Sequence, residues 1–270
     1  MYTKINEFCK IRNKSGDHAQ GIEETERFKF LKELCDANGL KYEVDAFENP
    51  RHKPEEVLTL DNFDNETEYN KYLEYLSKTV TKGKNLYFNL YLKGTSNKMF
   101  IAHHDIVNPN LDNANDDSAS CINCLMIKKL HPEVNIVITS GEEPPSMGVG
   151  SERLAQKIKE GYFGNIEWVL NLELTGKGGD QFIIGNYKGN LYNKILSTFP
   201  QAKVINTPFN DSVILREYGI DSVVITTLPL VDGRHDFELL YNCHNAKDNL
   251  ASISTDDMKI FVETIIPKLL

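Results

Sequence analysis

The chain has 270 residues, with 30 Lys and Arg against 39 Asp and Glu and a formal charge of −9. Hydrophobic residues make up 40% and charged residues 26%, the balance of an ordinary globular chain and not of a disordered one. The acidity argues against a nucleic-acid partner, whose phosphates need clustered Lys and Arg, and no apolar run approaches the ~20 residues of a membrane span.

In chain order, Met1 to Lys10 has neither an apolar stretch nor a small-residue cleavage site, which predicts no signal peptide. Phe28, Leu31, Leu34 and Cys35 recur at helical spacing, so a helix is predicted over 22–38, stopped by Asn38-Gly39. Leu40 to Phe47 alternates like a strand. Residues 48–82 carry Pro50, Pro54, many acidic residues and a Tyr-rich stretch, and read as a surface insertion. Strands are predicted at 85–92 and 98–103, joined by the turn Gly94-Thr95-Ser96-Asn97. Then come a helix at 118–130, a strand at 134–139, a helix at 151–160, and strands at 166–173 and 181–185. A helix near 190–198, a strand at 202–205, a helix near 210–218 and a strand at 222–227 continue the alternation. The last helix, 256–270, places Phe261, Ile265 and Leu269 on one side, with Pro267 expected to distort it or end it early. Strands alternating with helices, several of them apolar throughout, predict an α/β fold: three layers, αβα, around a central mixed, mostly parallel β-sheet. No linker or repeat appears, so residues 1–270 are expected to form a single domain. The five cysteines are Cys9, Cys35, Cys121, Cys124 and Cys243. They form no disulfide framework and predict a reducing, cytoplasmic setting. Cys121 and Cys124 are read as small core residues of a buried helix.

Ligands in such folds gather at the carboxyl ends of the strands. Here those ends carry His103-His104-Asp105, Gly141-Glu142-Glu143 and Glu173. Asp112 to Ser118 precedes a helix, and Tyr241-Asn242-Cys243-His244 follows a late strand and loop. Singly, each has an ordinary reading: a His entering a loop, a solvated Glu pair, an Asp capping a helix. Converging on one sheet edge, such carboxylates and imidazoles repel one another or stay unsatisfied unless a cation joins them. Two His and three carboxylates suit Zn²⁺, with Mn²⁺ or Co²⁺ as substitutes.

In their order these segments resemble the co-catalytic zinc aminopeptidases of metallopeptidase family twenty-eight, in the zinc exopeptidase clan. The family's H-x-D is matched by His103-His104-Asp105. Its G-A-x-D-x-x-S-G is matched loosely by Asn113 to Ser120, with Asn113 in place of the first Gly and Ala119-Ser120 in place of the closing Ser-Gly. Its G-E-E is matched by Gly141-Glu142-Glu143, its G-S by Gly150-Ser151, its strand-end acid by Glu173, and its late H-x-x-x-D by His244 to Asp248. The resemblance runs from about residue 22 to the C-terminus and implies the zinc-exopeptidase, phosphorylase/hydrolase-like fold.

It also implies roles. Asp116 would bridge two zinc ions. His103 and Glu173 would complete one ion's ligands, and Glu143 and His244 the other's. Asp105 would fix the tautomer of His103, His104 would point away, and Glu142 would be the general base. The family's cis peptide would fall at Asp116-Asp117. A peptide or aminoacyl substrate would then be hydrolysed at its N-terminus. Three departures stand out: Glu173 where Asp is usual, Pro144-Pro145 after the Glu pair, and Cys243 where a Tyr often precedes the late His. Tyr241 or His235 would substitute for that Tyr, and Asn210 lies in a segment resembling the substrate pocket. Specificity is expected in loops 144–149, 206–212 and 229–242. The stretch from Glu173 to His244 is filled by sheet and helix units, leaving no room for the lid domain of the carboxypeptidase relatives. Two other readings share the fold: a single-zinc acyltransferase like the glutaminyl cyclases, and an inactive pseudo-peptidase that only binds.

Overall fold

The computed structural model describes residues 1–11, 24–48, 86–107, 110–144 and 146–270. Apart from Glu48, the expected insertion at 48–82 lies outside the described residues. The main sheet has eight strands: β1 (Glu43–Glu48), β2 (Leu86–Leu92), β3 (Lys98–His103), β4 (Asn135–Thr139), β5 (Trp168–Leu172), β6 (Phe182–Gly185), β7 (Lys203–Ile205) and β8 (Ser222–Thr227). Their order is β1-β2-β4-β3-β5-β8-β6-β7. The centre, β4-β3-β5-β8, is parallel throughout, while β1, β2 and β6 join antiparallel to their inner neighbours. A parallel sheet is covered on both faces, and β4, β5 and β8 are buried along their whole length, which is why they read as mostly apolar runs.

Alternate residues feed two cores. Phe100, Ala102, Ile136, Ile138, Leu170 and Leu172 face one core, with Phe28 and Leu31 of the helix Glu26–Ala37, Cys121 and Cys124 of Ser120–Leu130, and Phe261 of the C-terminal helix. Met99, Ile101, Val137 and Val169 face the other, with Leu154 of Val149–Lys159 and Leu215 of Asp211–Glu217. These are the three expected layers.

Two local features differ from the sequence reading, and at Pro267 the helix is distorted, the first of the two expected outcomes. The turn at Gly94 to Asn97 does not pair β2 with β3: β4 lies between them, and the turn docks on β4's approach, Thr95 N and Ser96 N both donating to Glu133 O at 2.8 Å. The first residues, unassigned from sequence, form the helical turns Tyr2–Lys4 and Ile5–Cys9. Pro267 does not end the last helix. The turn over Phe261–Ile265 widens just before it, and Ile266–Leu269 continues, so the ring avoids the carbonyl it would otherwise strike. Among the described residues no helix is long and apolar enough to cross a membrane.

One close approach fixes the layer behind the Glu142-Glu143 turn. A Cβ on Gly150 would stand 2.2 Å from Ser140 O and 2.8 Å from Asn89 Oδ1. Asn89 ties the same place together, donating to Gly150 O at 2.9 Å and accepting from Ser140 N at 3.0 Å. Backbone cannot retreat as a flexible side chain can, so Gly150→Ala should lower unfolding free energy by about 1–3 kcal/mol, read from urea denaturation.

Candidate metal centre

The register of the parallel strands sets the site. His103 pairs with Thr139 across β3 and β4, so the end of β3 lies level with the turn that follows β4. Glu173 directly follows β5, and its N–H donates to Ile225 O of β8 at 3.0 Å. Gly141 (φ 70°) turns the chain out of β4 where a Cβ would meet the Tyr87 ring at 2.9 Å, and so aims Glu142 and Glu143 back over the sheet edge.

Two side-chain sets meet there and share Asp116. In the first, His103 Nε2 is 3.3 Å from Asp116 Oδ1 and 3.4 Å from Glu173 Oε1. In the second, His244 Nε2 is 3.1 Å from Asp116 Oδ2 and 3.0 Å from Glu143 Oε1. His103, Asp116 and Glu143 are buried, Glu173 is partly so, and His244 is exposed along one side. Glu142 Oε2 lies 3.9 Å from His103 Nε2.

The donor atoms fit divalent cations. Both ring nitrogens of His103 and Glu173 Oε2 are buried without a hydrogen-bond partner. Two ligands each about 2.0–2.1 Å from a tetrahedral zinc ion stand roughly 3.3–3.4 Å apart, the spacing of the His103 set. Without an ion, protons must do the neutralising. Burial pushes His244 down, but Glu143 and Asp116 outweigh it and hold its pKa at about 11. Burial pushes Glu143 up to about 7, with Asp116 adding to the effect. Burial raises Glu142 well above the ordinary glutamate range; His103 opposes this, while Glu143, Glu173 and Asp211 reinforce it. A site that must hold protons on imidazoles and acids at once is one where a cation substitutes for them.

Neighbouring residues position these groups. Asp105 accepts from the backbone N–H of Glu142 (3.2 Å) and of Glu143 (2.9 Å), and lies 3.5 Å from His103 Nδ1. It thus holds the Glu turn as well as the imidazole. His104 turns away from the cluster: Nε2 is 3.0 Å from Phe88 O and its ring packs on Phe28. Asp116-Asp117 is a cis peptide. Asp117, which from sequence reads only as a cap of the helix that follows, accepts from His103 N and from Leu174 N, both at 3.2 Å, joining the ends of β3 and β5. Asp248 accepts from Asn115 N (2.7 Å) and Asp116 N (3.0 Å), fixing the backbone under the shared carboxylate. Its place in the H-x-x-x-D match was the available signal, but no spacing rule says that it grips the backbone of Asp116.

The cluster opens into a cavity of about 390 Å³ lined by Asp116, Glu142, Glu143, Glu173 and His244, with Leu174, Ile183, Phe209 and Val224 among its apolar walls. Asn210 and Tyr241 also line it. Asn210 is buried and caps the helix Asp211–Glu217, accepting from Ser212 N at 3.0 Å, whereas Tyr241 is 81% exposed. His235 is not among the lining residues. It lies on the two-residue strand Arg234–His235, with Nδ1 3.2 Å from Leu228 O. Pro144, Met147, Thr207, Pro208 and Leu240 bring the three expected loops to the cavity.

Residues 88–268 match the sequence model of peptidase family M28. Among solved structures the chain is similar to the aminopeptidase from Aneurinibacillus sp. strain AM-1 (12% identity, TM-score 0.68), covering 99% of this chain and 92% of that one. It is also similar to BSAP, a zinc aminopeptidase from Bacillus subtilis (13%, TM-score 0.66), over 99% and 93% of the two chains. A third is Porphyromonas gingivalis glutaminyl cyclase (17%, TM-score 0.66), over 99% and 95%. At these identities the likeness is one of fold. No curated protein matches the chain in sequence.

Proposed function

The chain belongs to peptidase family M28, and we propose that it is a zinc-dependent aminopeptidase acting through two ions. The observation that carries this is the pair of ligand sets sharing Asp116: His103, Asp116 and Glu173, and Asp116, Glu143 and His244. Bound divalent ions supply a water of lowered pKa and a polarised scissile carbonyl. Glu142 takes the attacking water's proton on its carboxylate and returns it to the leaving amine. Its carboxylate lines the cavity beside both ligand sets without belonging to either of the two that share Asp116, which is where a proton carrier is needed. Asp105 keeps Glu142 over the cavity by anchoring its N–H, and holds Nδ1 of His103 so that Nε2 faces inward. Carboxylates along the cavity favour a substrate's free α-ammonium, which directs cleavage to N-terminal residues. The apolar walls exclude water from the remainder of the substrate. A reducing, cytoplasmic setting belongs to the same reading, since an odd set of five cysteines offers no disulfide framework for a chain of this size.

Aminoacyl anilides and short peptides test this reading. Hydrolysis should stop on chelation and return with zinc, and N-acetylated versions of the same substrates should resist. Turnover indifferent to chelation, or equal cleavage of blocked peptides, would contradict it. Ammonia release from N-terminal glutaminyl peptides without hydrolysis would favour the cyclase chemistry of the Porphyromonas neighbour instead.

A further inference from the structure

Arg27 lies before the matched residues, yet it reaches the loops of the metal centre. Arg27, in the helix Glu26–Ala37, is fully buried. Its guanidinium ends on three separate stretches of chain. Nε donates to His104 O at 3.1 Å, Nη2 to Ser118 Oγ at 2.8 Å, and Nη1 to Phe8 O at 3.3 Å. The guanidinium carbon stands 4.2 Å from the centroid of the Phe8 ring. His104 follows His103, and Ser118 follows Asp116 and Asp117 and itself donates to Asn113 O. One planar cation therefore spans the two loops whose ligands, His103 and Asp116, must stand 3.3 Å apart.

We propose that Arg27 is a positioning residue of the metal centre: it holds the His103 and Asp116 loops in register and so sets the affinity of the ion held by His103, Asp116 and Glu173. This rests on the two-ion reading above. Other bonds hold the same loops, but each reaches only one of them from outside: Asp117 on His103 N, the Cys121 thiol on His103 O at 3.0 Å, His104 N on Thr139 O at 3.0 Å, and Asp248 under Asn115 and Asp116. Asp116, which both sets share, is pinned separately by Asp248, and Glu143 by Asp105 on the Glu142-Glu143 turn, whereas His103 belongs to the first set alone. The effect should therefore fall mainly on one ion. A lysine would keep the charge, but one ammonium cannot reproduce a fork aimed at a carbonyl and a hydroxyl.

The test is zinc titration of metal-free full-length protein against a chromogenic chelator, for wild type, Arg27→Lys, Ser118→Ala and Glu173→Gln. Arg27→Lys should weaken one of two binding steps by about 10–100-fold, the loss typical when a partner of a metal ligand is removed. That step should be the one Glu173→Gln weakens most, and Ser118→Ala, which cuts one of Arg27's three links together with the Ser118–Asn113 bond, should weaken it less. Should Arg27→Lys fail to fold, Ser118→Ala decides, and wild-type affinity at both steps in that variant overturns the proposal. Equal weakening of both steps also overturns it, being the signature of general loosening. Wild type that binds no zinc would sink the metallopeptidase reading itself, and this inference with it.

Discussion

Glu142→Gln is expected to lower kcat by about 10²–10⁴-fold while leaving zinc content, KM and thermal stability near wild type. Gln keeps the size of the side chain, and its backbone N–H still has Asp105 as acceptor, so the turn stays in place. What disappears is the carboxylate that moves the proton. Glu142 belongs to neither of the two sets that share Asp116, lying 3.9 Å from His103 Nε2, beyond the 3.0–3.4 Å spacing within them. An unchanged kcat would remove Glu142 from the chemistry. A fall accompanied by loss of metal would make it a ligand.

Asp116→Asn is expected to do more, because it touches both halves of the centre. The two carboxylate oxygens face different imidazoles, Oδ1 toward His103 and Oδ2 toward His244. An amide offers only one oxygen, and its NH₂ cannot bind a cation, so at least one set loses a ligand outright and the site loses a negative charge. Activity should fall below detection, and zinc retained after dialysis should drop from two ions per chain to one or none. Structure should survive, since Asp248 and Asp117 hold the backbone on either side. Near-wild-type zinc content in the variant would mean that Asp116 does not bridge.

The α/β alternation and the strand ends were legible in the sequence for a physical reason. Strands buried on both faces are mostly apolar, so Asn135–Thr139 and Trp168–Leu172 stand out, and so do the charged residues just past them. His103, Glu143 and Glu173 stand at or just past such ends, whereas Asp116 and His244 lie in loops and were legible only through the resemblance to the zinc aminopeptidases. Strand neighbours were not: nothing local to Gly94 to Asn97 says that β4 will lie between β2 and β3, since pairing depends on contacts distant in sequence. The same limit hid Asp117 and Arg27. Asp117 read as a helix cap, and it acts by accepting from two backbone N–H groups, His103 N and Leu174 N, on strands far from it in sequence. Arg27 carries no signal of its own in the sequence, yet it is buried against loops whose approach only the folded chain creates. His235 shows the converse. Its composition suited an oxyanion partner, but the short ribbon pairing Arg234 with Val231 ties it to a strand whose residues do not line the cavity.

Anomalous diffraction at the zinc absorption edge, on crystals grown with zinc, addresses the central claim most directly. Two peaks flanking the Asp116 carboxylate are expected, one against His103 and Glu173 and the other against Glu143 and His244. A single peak, or density seated away from Asp116, would contradict it.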